Sequence, residues 1–249
     1  MFSTEHFIWI AICFVFVLTM TLVSVKKKFS LKLSGYIMCG ICTVSEISKM
    51  MSDMEESSEG GMHLSPTSLP FHLCSLMIFA VFFITFGKDG KFKKIIIDFI
   101  AVMGTLGSLC AILIPTNGTD FLDIGSYQCF VYHAGLMWFS LYLVFSKKAE
   151  MTVKSTLRNM LFLTFLSLMM IYVNGALSAY ETNFFFITRP PLEGLPYLNL
   201  NHGWYAYFLR LFALGVLLIS LFTAPFIIVS AVKKKREANA PSEDKTENG

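Results

Sequence analysis

The sequence predicts an all-α integral membrane protein, a seven-transmembrane-helix bundle with the N-terminus outside and the C-terminus cytoplasmic. Three observations predict it. The chain of 249 residues is 55% hydrophobic and only 15% charged, against roughly 25% charged in soluble domains, and its mean hydropathy is +0.62. Its apolar residues fall into seven runs of membrane-spanning length or close to it. Its basic residues gather in the loops after the first, third, fifth and seventh runs, the alternation expected when cytoplasmic loops are positive. The formal net charge of +3 is small, so placement matters more than sum. There is no glycine-rich phosphate loop and no basic–aromatic patch, so nucleic acid is not an expected partner.

The first run, Phe7 to Val25, is about 19 residues, enough to cross a bilayer core. It has no basic region before it and no small-residue cleavage site after it, so it does not read as a signal peptide. Lys26, Lys27 and Lys28 follow as a stop-transfer signal. The second run, Leu33 to Met51, is less apolar and carries Glu46 and Lys49 near its end. Asp53 to His63 reads as an acidic, Ser/Gly-rich loop. The third run is Pro70 to Phe86, with Pro70 suited to a first helical turn, where its missing N–H is not needed. Gly87 to Lys94 is basic. The fourth run, Ile95 to Ile114, contains Gly104 and Gly107, small residues that permit close helix approach. The turn Pro115-Thr116-Asn117-Gly118 leads to the fifth run, Ser126 to Phe145. Asn117-Gly118-Thr119 is also a glycosylation sequon on the expected outer side. A basic loop, Ser146 to Arg158, precedes the sixth run, Asn159 to Tyr180. Glu181 to Gly203 is a longer loop, and the seventh run spans Trp204 to Val232. After Lys233 to Arg236 the tail, residues 237–249, has the composition of a disordered cytoplasmic segment. The chain shows no repeat and no second domain.

Polar residues inside apolar runs are costly and mark sites or helix contacts. At about 1.5 Å per residue, Cys74 lies roughly 6 Å inward of Pro70, and His133 roughly 10 Å inward of the start of its run. Glu46, Asn174 and Arg210 fall at similar depth, with Gln128 and Tyr180 nearer the rim. Five runs thus place polar groups in one layer of the outer half, which predicts a shared polar cavity open or gated outward. Each group also has a plainer reading. Glu46 and Arg210 either neutralise one another or contact a ligand, and Arg210 can snorkel outward. Asn174 can serve as interhelical glue. Asp98 reads as an interfacial residue near Lys93 and Lys94, and His202 as part of an aromatic belt.

All six cysteines lie in apolar runs, which excludes a disulfide-stapled ectodomain. Most read as small hydrophobes in helix packing. Cys74 stands out for its place near a helix N-terminus and the histidines around it. His72 is two residues away, off its helix face, so a histidine from another run, such as His133, is the better base. No tight metal-ligand spacing joins His72, Cys74, His133 and His202.

The segments Leu69-Pro70-Phe71-His72-Leu73-Cys74, Phe130-Val131-Tyr132-His133-Ala134-Gly135-Leu136, Thr182-Asn183-Phe184-Phe185-Phe186 with Arg189-Pro190-Pro191, and Trp204-Tyr205 resemble the bacterial YwaF family of integral membrane proteins. That family is grouped with eukaryotic transmembrane protein 164. The resemblance runs from about the second run to the end of the seventh. It implies a seven-span protein and an acyltransferase that moves fatty acyl chains between membrane phospholipids through a cysteine centre. Carried onto this chain, it implies Cys74 as nucleophile and His133 as base. Substrate contacts are expected at His72, Glu46, Asn174, Tyr180 and Arg210, with Asn174 or Tyr180 donating to an oxyanion and Arg210 meeting a phosphate. No metal or diffusible cofactor is expected. The alternative is a non-enzymatic transporter or small-molecule receptor with an outward polar pocket; no inverted repeat supports a transporter. A structural partner with no ligand would need all these polar groups paired and no cavity between them.

Overall fold

The computed structural model describes residues 3–56, 62–116, 118–192 and 194–238. The tail beyond 238, the middle of the acidic loop and Asn117 of the sequon lie outside the described residues. The chain is a helical bundle. Helix α1 covers Thr4–Lys26, α2 Leu31–Ser52 and α3 Leu73–Phe86. Next come α4, Lys91–Phe99, a π-helical stretch Ile100–Gly104 and α5, Thr105–Leu113, which run on as one rod. Then come α6, Ile124–Phe145, α7, Val153–Ala176, and α8, Gly203–Ala238. Five of these rods are long and apolar enough to cross a membrane, so the chain is a multi-pass membrane protein. Helix α2 is long but less apolar, and α3 is apolar but has 14 residues.

Local chemistry sets the helix starts. Ser3 accepts from the His6 amide at 3.2 Å, Ser30 from Leu33 at 3.1 Å and Asp123 from Gly125 at 3.0 Å. Thr152 and Ser155 cap each other reciprocally at the start of α7. Each such cap satisfies an amide the helix itself leaves unpaired.

Helix α6 is the axis. Trp138, Phe139, Tyr142 and Leu143 have no exposure, and α1, α2 and α5 all pack against it. Gly104 gives the closest approach: a Cβ there would collide with the Ser140 hydroxyl. Gly107 behaves differently from expectation, because a Cβ there meets nothing within 4 Å. Helices α7 and α8 pack outside this core, and the most apolar stretch of α8 is only 11% buried against 72% for α6. The bundle's outer surface is rich in exposed Phe and Leu, as a lipid-facing surface requires.

The basic loops share one end of the bundle. Trp138 donates to Ser24, Tyr142 donates to the Phe29 carbonyl, and Asp98 accepts from the Glu150 amide. Those contacts hold the end of α1 and the α1–α2 connection against α6, and the α6–α7 connection against α4. The opposite end holds the contacts of His6 with Ile112 and of Trp9 with Thr119.

Two expectations need correcting. The third helix starts at Leu73, not Pro70, with His72 as its N-cap and Pro70 in the turn before it. The acidic loop is partly a hairpin, with β1, Met54–Glu56, antiparallel to β2, Met62–Leu64. Asp98, one helical turn from Lys94, takes its ion-pair partner from α7. It is 2% exposed and ion-paired with Arg158, while Lys93 pairs with Asp89 at 2.9 Å.

Candidate functional site

A cavity of about 710 Å³ opens between the core and the α7–α8 pair. Its walls come from α2, α3, α5, α6, α7 and α8 and from the loops at the non-basic end. Cys74, His133, His72 and Glu46 all line it.

Cys74 is the second residue of α3, about 1.5 Å into the helix. It therefore lies within the first turn, where backbone amides have no intrahelical acceptor. Tyr132 fixes it to α6: the phenol, buried at 2% exposure, donates to the Cys74 carbonyl at 2.6 Å. This bond sets Cys74 beside the helical turn that carries His133.

The Nδ1 of His133 lies 2.7 Å from the carbonyl of Cys129, one turn back on α6. A carbonyl only accepts, so Nδ1 carries the proton and Nε2 holds the lone pair. Nε2 has no hydrogen-bond partner among the described residues, and the ring borders the cavity. Cys74 and His133 are not hydrogen-bonded to one another; they share the open space. The His72 ring lies edge-on to Phe184, with centroids 5.2 Å apart, and 5.5 Å from Phe186.

On α2, Glu46 borders the cavity and has no ion pair or hydrogen bond among the described residues. The expected partner, Arg210, is engaged elsewhere, donating to Asn199 Oδ1 at 3.1 Å. Lys49, one turn after Glu46, also borders the cavity and donates to the Ser68 carbonyl at 3.1 Å. That bond holds the segment leading into His72 and Cys74 against α2.

Asn174, Tyr180 and Arg210 are not among the lining residues. Tyr180 is 56% exposed in a short 3-10 turn after α7. Asn174 uses both ends of its amide on one residue: Nδ2 donates to the Phe184 carbonyl at 3.0 Å, and Oδ1 accepts from the Phe184 amide at 2.8 Å. It thereby anchors the segment that roofs the cavity with Phe185, Phe186 and Ile187. Phe185 and Phe186 have φ of 59° and 53°, a left-handed backbone that non-glycine residues adopt only when their surroundings enforce it. Tyr207 bonded to the Phe186 carbonyl and Trp204 bonded to the Ile187 carbonyl at 2.9 Å complete that enforcement. Replacing Asn174 with alanine leaves the Phe184 amide unpaired and its carbonyl with only the Ile187 amide, at 3.4 Å. The expected loss is about 1–3 kcal/mol of stability, read by thermal unfolding in detergent; an unchanged midpoint would show that the roof holds without it.

Sequence reasoning singled out neither Lys49 nor Tyr132 as a site residue. Tyr132 was visible only as the neighbour of His133, and a tyrosine one position off a reactive face gives no pattern of its own. Lys49 follows Glu46 by three residues, the spacing that puts both on one helix face, and that was the available signal.

The sequence profile of the TMEM164 family matches residues 1–223. The match includes the first helix and the acidic loop, which the motif resemblance did not reach. No curated protein and no solved structure matched the chain.

Proposed function

We propose that this chain, which belongs to the TMEM164 family, is a seven-span enzyme of the cell membrane that transfers fatty acyl groups between phospholipids through Cys74. The N-terminus lies outside and the C-terminus in the cytoplasm. Helices α2 and α3 are the two further spans: α2 packs against α6 and α3, and α3 is apolar throughout. The shared end of the basic loops supports this orientation.

The observation that carries the reading is the meeting of Cys74 and a His133 with a free Nε2 in one cavity that is polar at one end and apolar along its length. A thiol and a neutral imidazole acceptor are the two parts acyl transfer requires. His133 Nε2 takes the thiol proton as Cys74 Sγ attacks the ester carbonyl of a phospholipid. The tetrahedral intermediate collapses, the C–O bond breaks, and the departing lysophospholipid oxygen takes that proton back from His133. The acyl chain remains as a thioester on Cys74. An acceptor hydroxyl then gives its proton to His133 and attacks the thioester, and the thiolate leaves and is reprotonated. With Asn174 and Tyr180 outside the cavity, the free amides of the first turn of α3 are the better oxyanion donors. His72 and Glu46 keep their roles as substrate contacts.

The unpaired carboxylate of Glu46 favours a second reading, a receptor or transporter for a small ligand that supplies the missing cation. One experiment separates the two. Purified protein in lipid is incubated with a fatty-acyl phospholipid probe and then treated with hydroxylamine. The expected result is a hydroxylamine-sensitive label on the wild type and none on Cys74→Ala of equal folding. A folded wild-type protein that takes no label, or a Cys74→Ala variant that labels equally, would overturn the enzyme reading.

A further inference from the structure

The cavity extends well past the reactive groups. Gly104 of the central rod packs on Ser140, which is seven residues, about 10 Å, beyond His133 along α6. Met103, beside Gly104 in the π-helical stretch, lines the cavity at that level. Met160 of α7 and Ile219 of α8 close the same end, and Met103 and Ile219 are 4% and 2% exposed. An apolar arm therefore runs from Cys74 and His133 to a floor of Met103, Met160 and Ile219. A π-helical stretch is a common feature of functional sites, because it displaces one wall from a regular helix surface.

Two glycines line the arm, Gly107 on α5 and Gly215 on α8. Neither is there to let helices touch. A Cβ on either would meet no atom within 4 Å. Glycine in a helix interior costs stability relative to alanine, and here no packing contact offsets that cost. What the two positions provide is open width along the arm.

The geometry points to this arm as an acyl-chain pocket, in which Gly107 and Gly215 admit the chain and Met103, Met160 and Ile219 set its length. The proposal rests on the acyl-transfer reading for the identity of the chain. Its occupant is a long alkyl or acyl tail of a phospholipid whose ester carbonyl sits at Cys74. The arm is continuous with the reactive end, and its walls are mainly apolar and offer a tail dispersion contacts, with Ser108, Thr164 and Ser167 the hydroxyls that border it. Each methylene that finds room there adds binding free energy until the floor is reached.

The glycines also give the test its variant, since a Cβ at Gly215 meets no atom of the protein within 4 Å and Gly215 borders the arm. The full-length protein in detergent is titrated with ether-linked phospholipid analogues, which cannot transfer a chain, across a homologous series of alkyl lengths. Thermal unfolding reads binding. Wild type is expected to gain stability with chain length up to a limit. Gly215→Leu is expected to reach its limit roughly four carbons earlier, the volume its side chain takes from the arm. Ile219→Ala is expected to reach it later. Gly40→Leu, an equally open glycine on α2 outside the cavity, is the control and keeps the wild-type limit. A folded Gly215→Leu with the wild-type limit, or a Gly40→Leu that shifts as far, would overturn the pocket. The readout involves no chemistry. Absence of the hydroxylamine-sensitive label together with a shifted limit supports the pocket and overturns only the transfer reaction.

Discussion

Replacing His133 with alanine is expected to slow formation of the Cys74 thioester about 10²- to 10⁴-fold, the usual contribution of a positioned general base. The expectation rests on one hydrogen bond. Because Nδ1 donates to the Cys129 carbonyl at 2.7 Å, the imidazole is held as the tautomer whose Nε2 accepts. The orienting group is backbone, so Cys129→Ala, which keeps that carbonyl, should label at a rate close to wild type. Nucleophile and base act as a unit, and such losses do not add. The double variant Cys74→Ala with His133→Ala should therefore be no worse than Cys74→Ala alone. Single-turnover labelling with the acyl probe measures all of these. A His133→Ala protein labelling within a few-fold of wild type would remove the histidine from the mechanism, and Cys74 would need another base.

The rods were legible in the sequence because a membrane helix declares itself by length and apolarity. The run Phe7 to Val25 became Thr4–Lys26, and Ser126 to Phe145 became Ile124–Phe145. Cys74, His133 and Glu46, expected at a common depth, border one cavity, and His72, for which depth gave no expectation, borders it too. Depth does not give azimuth, however. Asn174 lies at a comparable depth and faces the Phe184 backbone instead, because a loop of defined shape needed its amide. Pro70 signalled a helix start three residues early. The pattern could not show that the segment before Cys74 is pinned from α2 by Lys49, with His72 at the N-cap position. Gly107 was misjudged for a related reason: a small residue in a membrane helix signals either close contact or open space, and only its neighbours tell which.

The largest stability effect is expected at the end of the bundle that carries the basic loops, on Arg158→Ala. Asp98 is 2% exposed and its carboxylate accepts from two groups, the Glu150 amide at 2.7 Å and the Arg158 guanidinium. The backbone around it is tied to α7 as well, since Asn159 Nδ2 donates to the Asp98 carbonyl at 3.2 Å. These bonds join α4, the α6–α7 loop and α7, and α7 otherwise sits outside the core. Removing Arg158 leaves a buried carboxylate with one amide for company, a loss of about 3–5 kcal/mol. Removing the charge from the other side should cost less. In Asp98→Asn the side-chain carbonyl can still accept from Glu150, and Arg158, whose side chain is 31% exposed, can turn toward water. Arg158→Lys should recover only part of the loss, because an ammonium lacks the planar fork of guanidinium. Unfolding of the four proteins in mixed micelles gives the order directly. Arg158→Ala within about 1 kcal/mol of wild type, a value typical of a surface pair, would mean that water already reaches Asp98. In that case α7 would depend on its apolar contacts and the Asn159 bond for its place beside the arm.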